Sequence, residues 1–364
     1  MNKIFKNFKG KKILVTGHTG FKGSWLCLWL TILGARVVGV SINNHSKPSH
    51  FNTINLKKKI VHYKADIRNL KLLKKIVKKH QPDFLFHLAA QALVKKSYLN
   101  PIYTWQTNAL GTLNILESLR TLKKKCTAVI ITSDKSYKNL EIKRGYHEND
   151  ILGGKDPYSA SKASAELVIQ SYISSFFPKN KTKVLISVAR AGNVVGGGDW
   201  SEDRLIPDCV KSWSKNKTVL IRNPKSTRPW QHVLEAISGY LFLASNLNKN
   251  KNLHGEVFNF GPNNSSNYSV LYLVNTMKKY WDKVSWKIDK NVNKIFFESN
   301  LLKLNCNKAK KKLKWKSVLK FDETIRMLSY WYKKYYSHNK SMYNISTKQI
   351  EKYQILMQKR LNFK

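Results

Sequence analysis

Two short segments of the 364-residue chain carry side chains able to move protons. In Tyr158-Ser159-Ala160-Ser161-Lys162 a phenol and an ammonium stand four residues apart, on one face of any helix that holds them. A phenol titrates near ~10 when unperturbed, and a neighbouring cation favours phenolate, so the pair can take a hydroxyl proton during hydride transfer. Taken alone, Y-x-x-x-K arises by chance in a Lys-rich chain. The second segment, Thr132-Ser133-Asp134-Lys135, places hydroxyl, carboxyl and amine in a row at the end of an expected parallel strand, where open α/β sheets place ligands. A third segment supplies backbone instead of side chains. Thr16-Gly17-His18-Thr19-Gly20-Phe21-Lys22-Gly23 has G-x-x-G-x-x-G spacing between a strand and a helix. Its glycines permit a tight turn and close approach of a pyrophosphate to the helix N-terminus, the pattern of dinucleotide binding.

The elements that must position these segments follow from periodicity. Short apolar runs predict strands over 12–16, 36–42, 84–88, 128–132 and 184–189, and helical spacing covers 21–33, 69–79, 101–122 and 160–177. Strands alternating with helices in this way predict an α/β fold, a Rossmann-like doubly wound parallel sheet with right-handed crossovers. After Gly192 the alternation loosens. Helices are expected over 208–214, 234–245, 270–281 and 321–336, and 256–260 reads as a strand returning to the sheet. The reading is therefore a dinucleotide domain over 1–192, a smaller, discontinuous C-terminal substrate-binding lobe over 193–345, and a C-terminal helix over 346–364. Ile350, Tyr353, Leu356 and Met357 give that last helix an apolar, docking face.

Composition excludes several classes. With 42% hydrophobic and 12% aromatic residues the chain is not a disordered polycation, although 66 Lys and Arg against 21 Asp and Glu give a formal charge of +45. The excess is almost all Lys, with only 10 Arg, whereas bidentate readers of phosphate or guanine favour Arg. Frequent Asn, Ile, Tyr and Phe accompany it, as coding bias on a tolerant surface would produce, and no dedicated nucleic-acid partner is expected. Cys27, Cys126, Cys209 and Cys306 lie far apart, so neither a metal site nor a disulfide framework is indicated and a reducing, cytoplasmic setting fits. No apolar stretch approaches 18 residues, and no membrane insertion or export is expected.

Taken together, the glycine turn and the Tyr/Lys pair resemble the extended short-chain dehydrogenase/reductase family, whose members act on nucleotide sugars. Asp134 followed by Lys135 resembles its CDP-glucose 4,6-dehydratase branch; the dTDP-glucose enzymes have Asp followed by Glu. The likeness continues through 17–25, 87–91, 189–208 and 228–233. It implies that Tyr158, Lys162 and Ser133 remove the O4 proton, and that Asp134 and Lys135 serve as acid and base of an elimination. It further implies NAD as cofactor, held by Gly17, His18, Thr19, Gly20, Phe21, Lys22 and Gly23, by Asn43, Asp66, Ile67, Leu88, Ala89 and Ala90, and by Tyr158 and Lys162. Asn43 stands where the family usually offers the ribose a carboxylate, which leaves NADP open. Gln91, Asn193, Arg204 and Arg228 are the residues implied for the CDP-glucose substrate, with Arg190 structural. The helices over 101–122 and 160–177 occupy the places of the pair that forms a homodimer in relatives. A 4-epimerase, another nucleotide-sugar dehydratase, and a Rossmann-fold NAD(P) sensor or nucleic-acid binder remain the alternatives.

Overall fold

Seven short strands form one all-parallel sheet in the order β7-β6-β5-β4-β1-β2-β3: β1 (Lys12–Thr16), β2 (Arg36–Ser41), β3 (Val61–Lys64), β4 (Phe84–His87), β5 (Cys126–Ile131), β6 (Val184–Ala191) and β7 (Val257–Phe260). The last of these is the strand expected to return, and it pairs with β6. The computed structural model describes residues 4–42, 46–142, 144–262, 267–289, 302–338 and 341–361. Alternation along the strands divides the apolar side chains between two cores. Ile13, Val15, Phe84, Phe86, Val129 and Ile131 enter one, and Leu14, Leu85, Ala128 and Ile130 enter the other. A sheet fed by crossover helices is buried on both faces, which is why its strands read as near-continuous apolar runs.

On the second face lie α2 (Leu70–His80), α3 and α4 (Pro157–Phe176), while α1 (Phe21–Ile32) covers the first. Helix α3 begins at Pro101–Trp105, widens into a π-helical turn at Gln106–Leu110 and resumes at Gly111–Leu119. Helix α4 starts three residues earlier than periodicity suggests. Asp156 caps it, accepting the Ser159 N–H at 2.9 Å and the Ser159 hydroxyl at 2.6 Å, and Pro157 occupies the first turn. That cap brings Tyr158 onto the helix.

Beyond β6 come α5 (Leu205–Trp213), α6 (Val233–Lys249), α7 (Val270–Lys278), α8 (Phe321–Tyr336) and α9 (Met342–Leu361), with three two-stranded ribbons between them. Helix α6 lies under the sheet beside α1, and α9 closes over both. Ile350, Tyr353 and Met357 are fully buried. The Tyr353 ring stands 5.6 Å from Trp29 of α1, and its hydroxyl donates to Glu235 Oε2 at 2.7 Å. Glu235 Oε1 accepts the Val318 and Leu319 N–H groups at 2.8 and 2.5 Å, and burial pushes this carboxyl up to about 7. One core cluster thus runs from Phe5 to Met357.

A hydrogen bond to a charged or partly charged buried acceptor is worth ~1.5–3 kcal/mol. Tyr353→Phe removes that bond while keeping the ring, so the urea unfolding free energy should fall by about that amount. An unchanged midpoint and slope would contradict the clasp.

Candidate active site

The glycine turn is shaped by what crosses it. Gly17, just after β1, has φ +73°, donates its N–H to Val40 O at 2.8 Å, and passes so close to β4's exit that a Cβ would stand 2.7 Å from Ala89 N. Gly20 is the N-cap of α1, and a Cβ on Gly23 would lie 2.1 Å from Gly17 O. No acidic residue occupies the first turn of α1. This bare, N–H-rich cradle fits the pyrophosphate of a dinucleotide. Thr19 Oγ1 lies 2.8 Å from Ser41 Oγ, tying the turn to the end of β2. His18 is buried behind it, with Nε2 2.6 Å from His62 Nδ1; burial and then His62 bring its pKa down to about 4, so it is a neutral wall at pH 7. Phe21 is half-buried.

The remaining cofactor candidates ring this cradle. Leu88, Ala89 and Ala90 are half-buried at the exit of β4, with Ala89 N donating to Thr16 Oγ1 at 3.2 Å. Ile67 is buried in the second core. Asp66 follows β3 and is gripped by Arg68, through its N–H at 2.9 Å and its guanidinium at 2.7 and 3.0 Å. Burial would raise that carboxyl, but Arg68 holds it below its usual range. Asn43 lies outside the described residues.

Ser133, Asp134 and Lys135 leave β5 in a short 3-10 turn. Ser133 Oγ donates to Asp134 Oδ1 at 3.0 Å and accepts the Lys135 N–H at 3.2 Å. Asp134 is buried against Gly192, where a Cβ would come within 2.9 Å of Oδ2, so the missing side chain makes room for the carboxyl. Burial raises the Asp134 pKa, against the pull of Lys135, Ser133 and Lys22. A carboxyl poised toward its protonated form can act as an acid. Lys135 is half-buried.

Tyr158 and Lys162 share α4 with these groups before them. Burial pushes the phenol up to about 12, and the groups that draw it back are the Ser133 hydroxyl, by a hydrogen bond, and Arg204. The Lys162 Nζ points to Ile131 O at 3.4 Å. Burial and then Lys22 bring Lys162 down to about 8, with Glu166 opposing. Lys22 itself falls to about 8 through burial and Arg204, with Asp134 opposing. Lys22, Lys135, Lys162 and Arg204 therefore interact here with the carboxyls of Asp134 and Glu166.

Of the residues implied for substrate, Arg204 donates Nη1 to Asp199 Oδ2 at 3.1 Å, Arg228 is half-buried with Nη1 on Thr227 O at 2.9 Å, and Asn193 is exposed. The Gln91 side chain is buried and engaged with the Leu93 N–H, Leu93 O and Thr104 Oγ1 at 2.7, 3.0 and 3.0 Å, which shapes the turn after β4. Arg190 is structural, buried against Glu166. Sequence reasoning passes over Asn108, in the π-helical turn, which bridges Gln91 and the catalytic helix by bonding Gln91 N, Gln91 O and Ser161 Oγ at 2.8, 3.1 and 2.9 Å. An Asn inside an apolar helix, a poor helix former there, is the signal that could have found it. Among the described residues no helix is long and apolar enough to cross a membrane.

A sequence model of the GDP-mannose 4,6 dehydratase family matches residues 14–328. The chain is 44% identical over 335 residues to a CDP-glucose 4,6-dehydratase of Salmonella typhimurium, covering 91% of this chain and 93% of that protein. Among solved structures it is similar to an epimerase of Methanothermobacter thermautotrophicus, with TM-score 0.78, 23% identity, and 92% and 96% of the two chains covered. A dTDP-glucose 4,6-dehydratase of Bacillus anthracis solved in complex with NAD gives TM-score 0.73 at 21% identity, covering 93% of this chain and all of that one.

Replacing Lys22 by Gln removes a positive neighbour from Lys162. The Lys162 midpoint should then move up from about 8, followed by Nζ-detected NMR of lysine-labelled protein. A midpoint that stays or falls would show that Lys22 does not bear on it.

Proposed function

The chain belongs to the GDP-mannose 4,6 dehydratase family, and we propose that it is a CDP-glucose 4,6-dehydratase, a hydro-lyase converting CDP-D-glucose to CDP-4-dehydro-6-deoxy-D-glucose and water. The observation that carries this reading is Asp134, buried and raised toward its acid form, hydrogen-bonded to Ser133 and followed by Lys135 beside Tyr158. A 4-epimerase has no elimination for an acid and base to serve. The choice of CDP over other nucleotides is supported by the 44% identity over nearly all of both chains.

The cradle of 17–23, the 88–90 segment and Asp66 are the groups that would hold NAD, which supplies hydride acceptance from sugar C4 and its return at C6. Tyr158, hydrogen-bonded to Ser133 and with the Arg204 charge favouring its ionised form, takes the O4 proton, with Lys162 one turn further along the same helix. The 4-ketone so formed acidifies the C5–H. Lys135 takes the C5 proton and Asp134 gives one to the departing O6, which leaves as water. Lys135 returns its proton to C5 as C6 is reduced, and the proton taken from O4 balances the one lost to water. Arg228 and Arg204 supply cations for the diphosphate, and Asn193 a hydrogen bond, from the part of the chain after 193.

A homodimer and a cytoplasmic location complete the reading. Ile102 is 70% exposed, and Trp105, Leu110, Leu167 and Phe176 join it on α3 and α4, with Leu99, 75% exposed, just before α3, an apolar surface suited to a second copy. The four free cysteines suit a reducing compartment.

With CDP-, dTDP-, GDP- and UDP-hexoses offered in turn, CDP-glucose should give the 4-keto-6-deoxy product; a C4 epimer or no reaction would overturn the assignment. Asp134→Asn and Lys135→Ala should each slow dehydration by about 100-fold while substrate still reduces bound NAD, since positioned acid-base groups contribute ~10²–10⁴-fold. Unaltered turnover would remove them from the elimination. Light scattering should give twice the chain mass for the native protein and the single mass for Ile102→Glu with Leu167→Glu; a monomeric native protein would refute the dimer.

A further inference from the structure

The residue that begins the catalytic turn does not face the site. Thr132 turns its hydroxyl back into the protein and donates it to Glu166 Oε1 at 2.7 Å. Glu166 lies on α4, four residues beyond Lys162 and eight beyond Tyr158, and is buried. Its carboxylate is gripped by Arg190, through Nε at 2.8 and 3.0 Å from the two oxygens and through Nη2. Arg190 belongs to β6, beside β5, where Ile131 pairs with Ala189. It is fixed on its other sides by Glu148 O at 3.1 Å and by the Tyr137 ring, 4.4 Å from Cζ. One carboxylate therefore joins the end of β5, the helix of the Tyr/Lys pair and the strand that leads to Gly192.

A buried ion pair is a poor investment for stability alone, because apolar residues of similar volume do as well or better. What such a pair provides is fixed direction. We infer that Glu166 is a positioning residue: locked by Arg190, it holds the Thr132 hydroxyl and so sets the register between the Ser133-Asp134-Lys135 turn and the helix bearing Tyr158 and Lys162. The inference rests on the reading of that turn as the acid-base segment. Glu166 also works electrostatically in the same sense, favouring the charged form of Lys162.

The test removes the tether and leaves the ion pair intact. Thr132→Val keeps the branched volume and loses the hydroxyl; Thr132→Ser restores it. With CDP-glucose, Thr132→Val should lower kcat by about 10–100-fold, the scale of loss from a ~1 Å misplacement, with KM within about 2-fold and the protein still fully folded at the assay temperature. Thr132→Ser should recover kcat to within about 3-fold of the native value. The substrate-free crystal structure of Thr132→Val should show residues 133–135 displaced from Gly192. Native kcat in Thr132→Val, or a loss that Thr132→Ser does not restore, would overturn the inference. Should the native protein turn over no CDP-glucose, the proposed function fails by itself, and the Thr132→Val crystal structure decides positioning: a displaced turn supports it and a superimposable one refutes it.

Discussion

A parallel sheet covered on both faces has one dry place left for polar chemistry, the carboxyl ends of its strands. Every part of the site follows from that constraint. Strand order reverses between β1 and β4, so their exits diverge and leave a crevice; the glycine turn after β1 and the 88–91 segment after β4 form its floor. The next two strands, β5 and β6, deliver Ser133, Asp134 and Lys135 on one side and Gly192 and Asn193 on the other. Adjacent exits in the sheet become adjacent walls of the site, and α4 adds Tyr158 and Lys162 from above β5.

Charge in this crevice has a different weight from charge on the surface. Most of the lysines that make up +45 are solvated, screened over roughly a Debye length, and contribute little to any one interaction. Lys22 and Lys162 are held where burial costs them part of their protonation, with Arg204 near enough to affect both Lys22 and Tyr158. A dinucleotide and a sugar diphosphate are both anionic, and an anion beside these lysines favours their charged forms. Glu166, although paired with Arg190, still favours the charged form of Lys162.

The parts of this geometry legible in the sequence are those with local causes. Apolar runs, glycine spacing and the i, i+4 relation of Tyr158 and Lys162 place the sheet, the glycine turn and that pair on one helix, and the helical spacing of Ile350, Tyr353 and Met357 marks the docking face of α9. Even the start of α4 is local, since Asp156-Pro157 is a capping signal that apolar periodicity overlooks. Gln91, Asn108 and the Thr132–Glu166–Arg190 junction are different in kind. Their partners come from separate elements, 17 and 53 residues away for Asn108 and 34 and 24 for Glu166, and only the packed fold decides who meets whom. The inward turn of Gln91 is of this sort: the same residue type at the same position serves a ligand or a turn according to where Thr104 lies.

The clasp of α9 also sets an order of events. Helix α1, which carries the cradle at its N-terminus, leaves the ribosome long before the Tyr353 ring that packs on its Trp29. Until α9 has been made, the tryptophan-rich flank of α1 lacks the Tyr353 contact. The core under the first face of the sheet therefore cannot be finished by its N-terminal residues alone. Its maturation waits on the far end of the same chain, and a nascent chain stalled short of α9 presents an apolar surface for chaperones to hold.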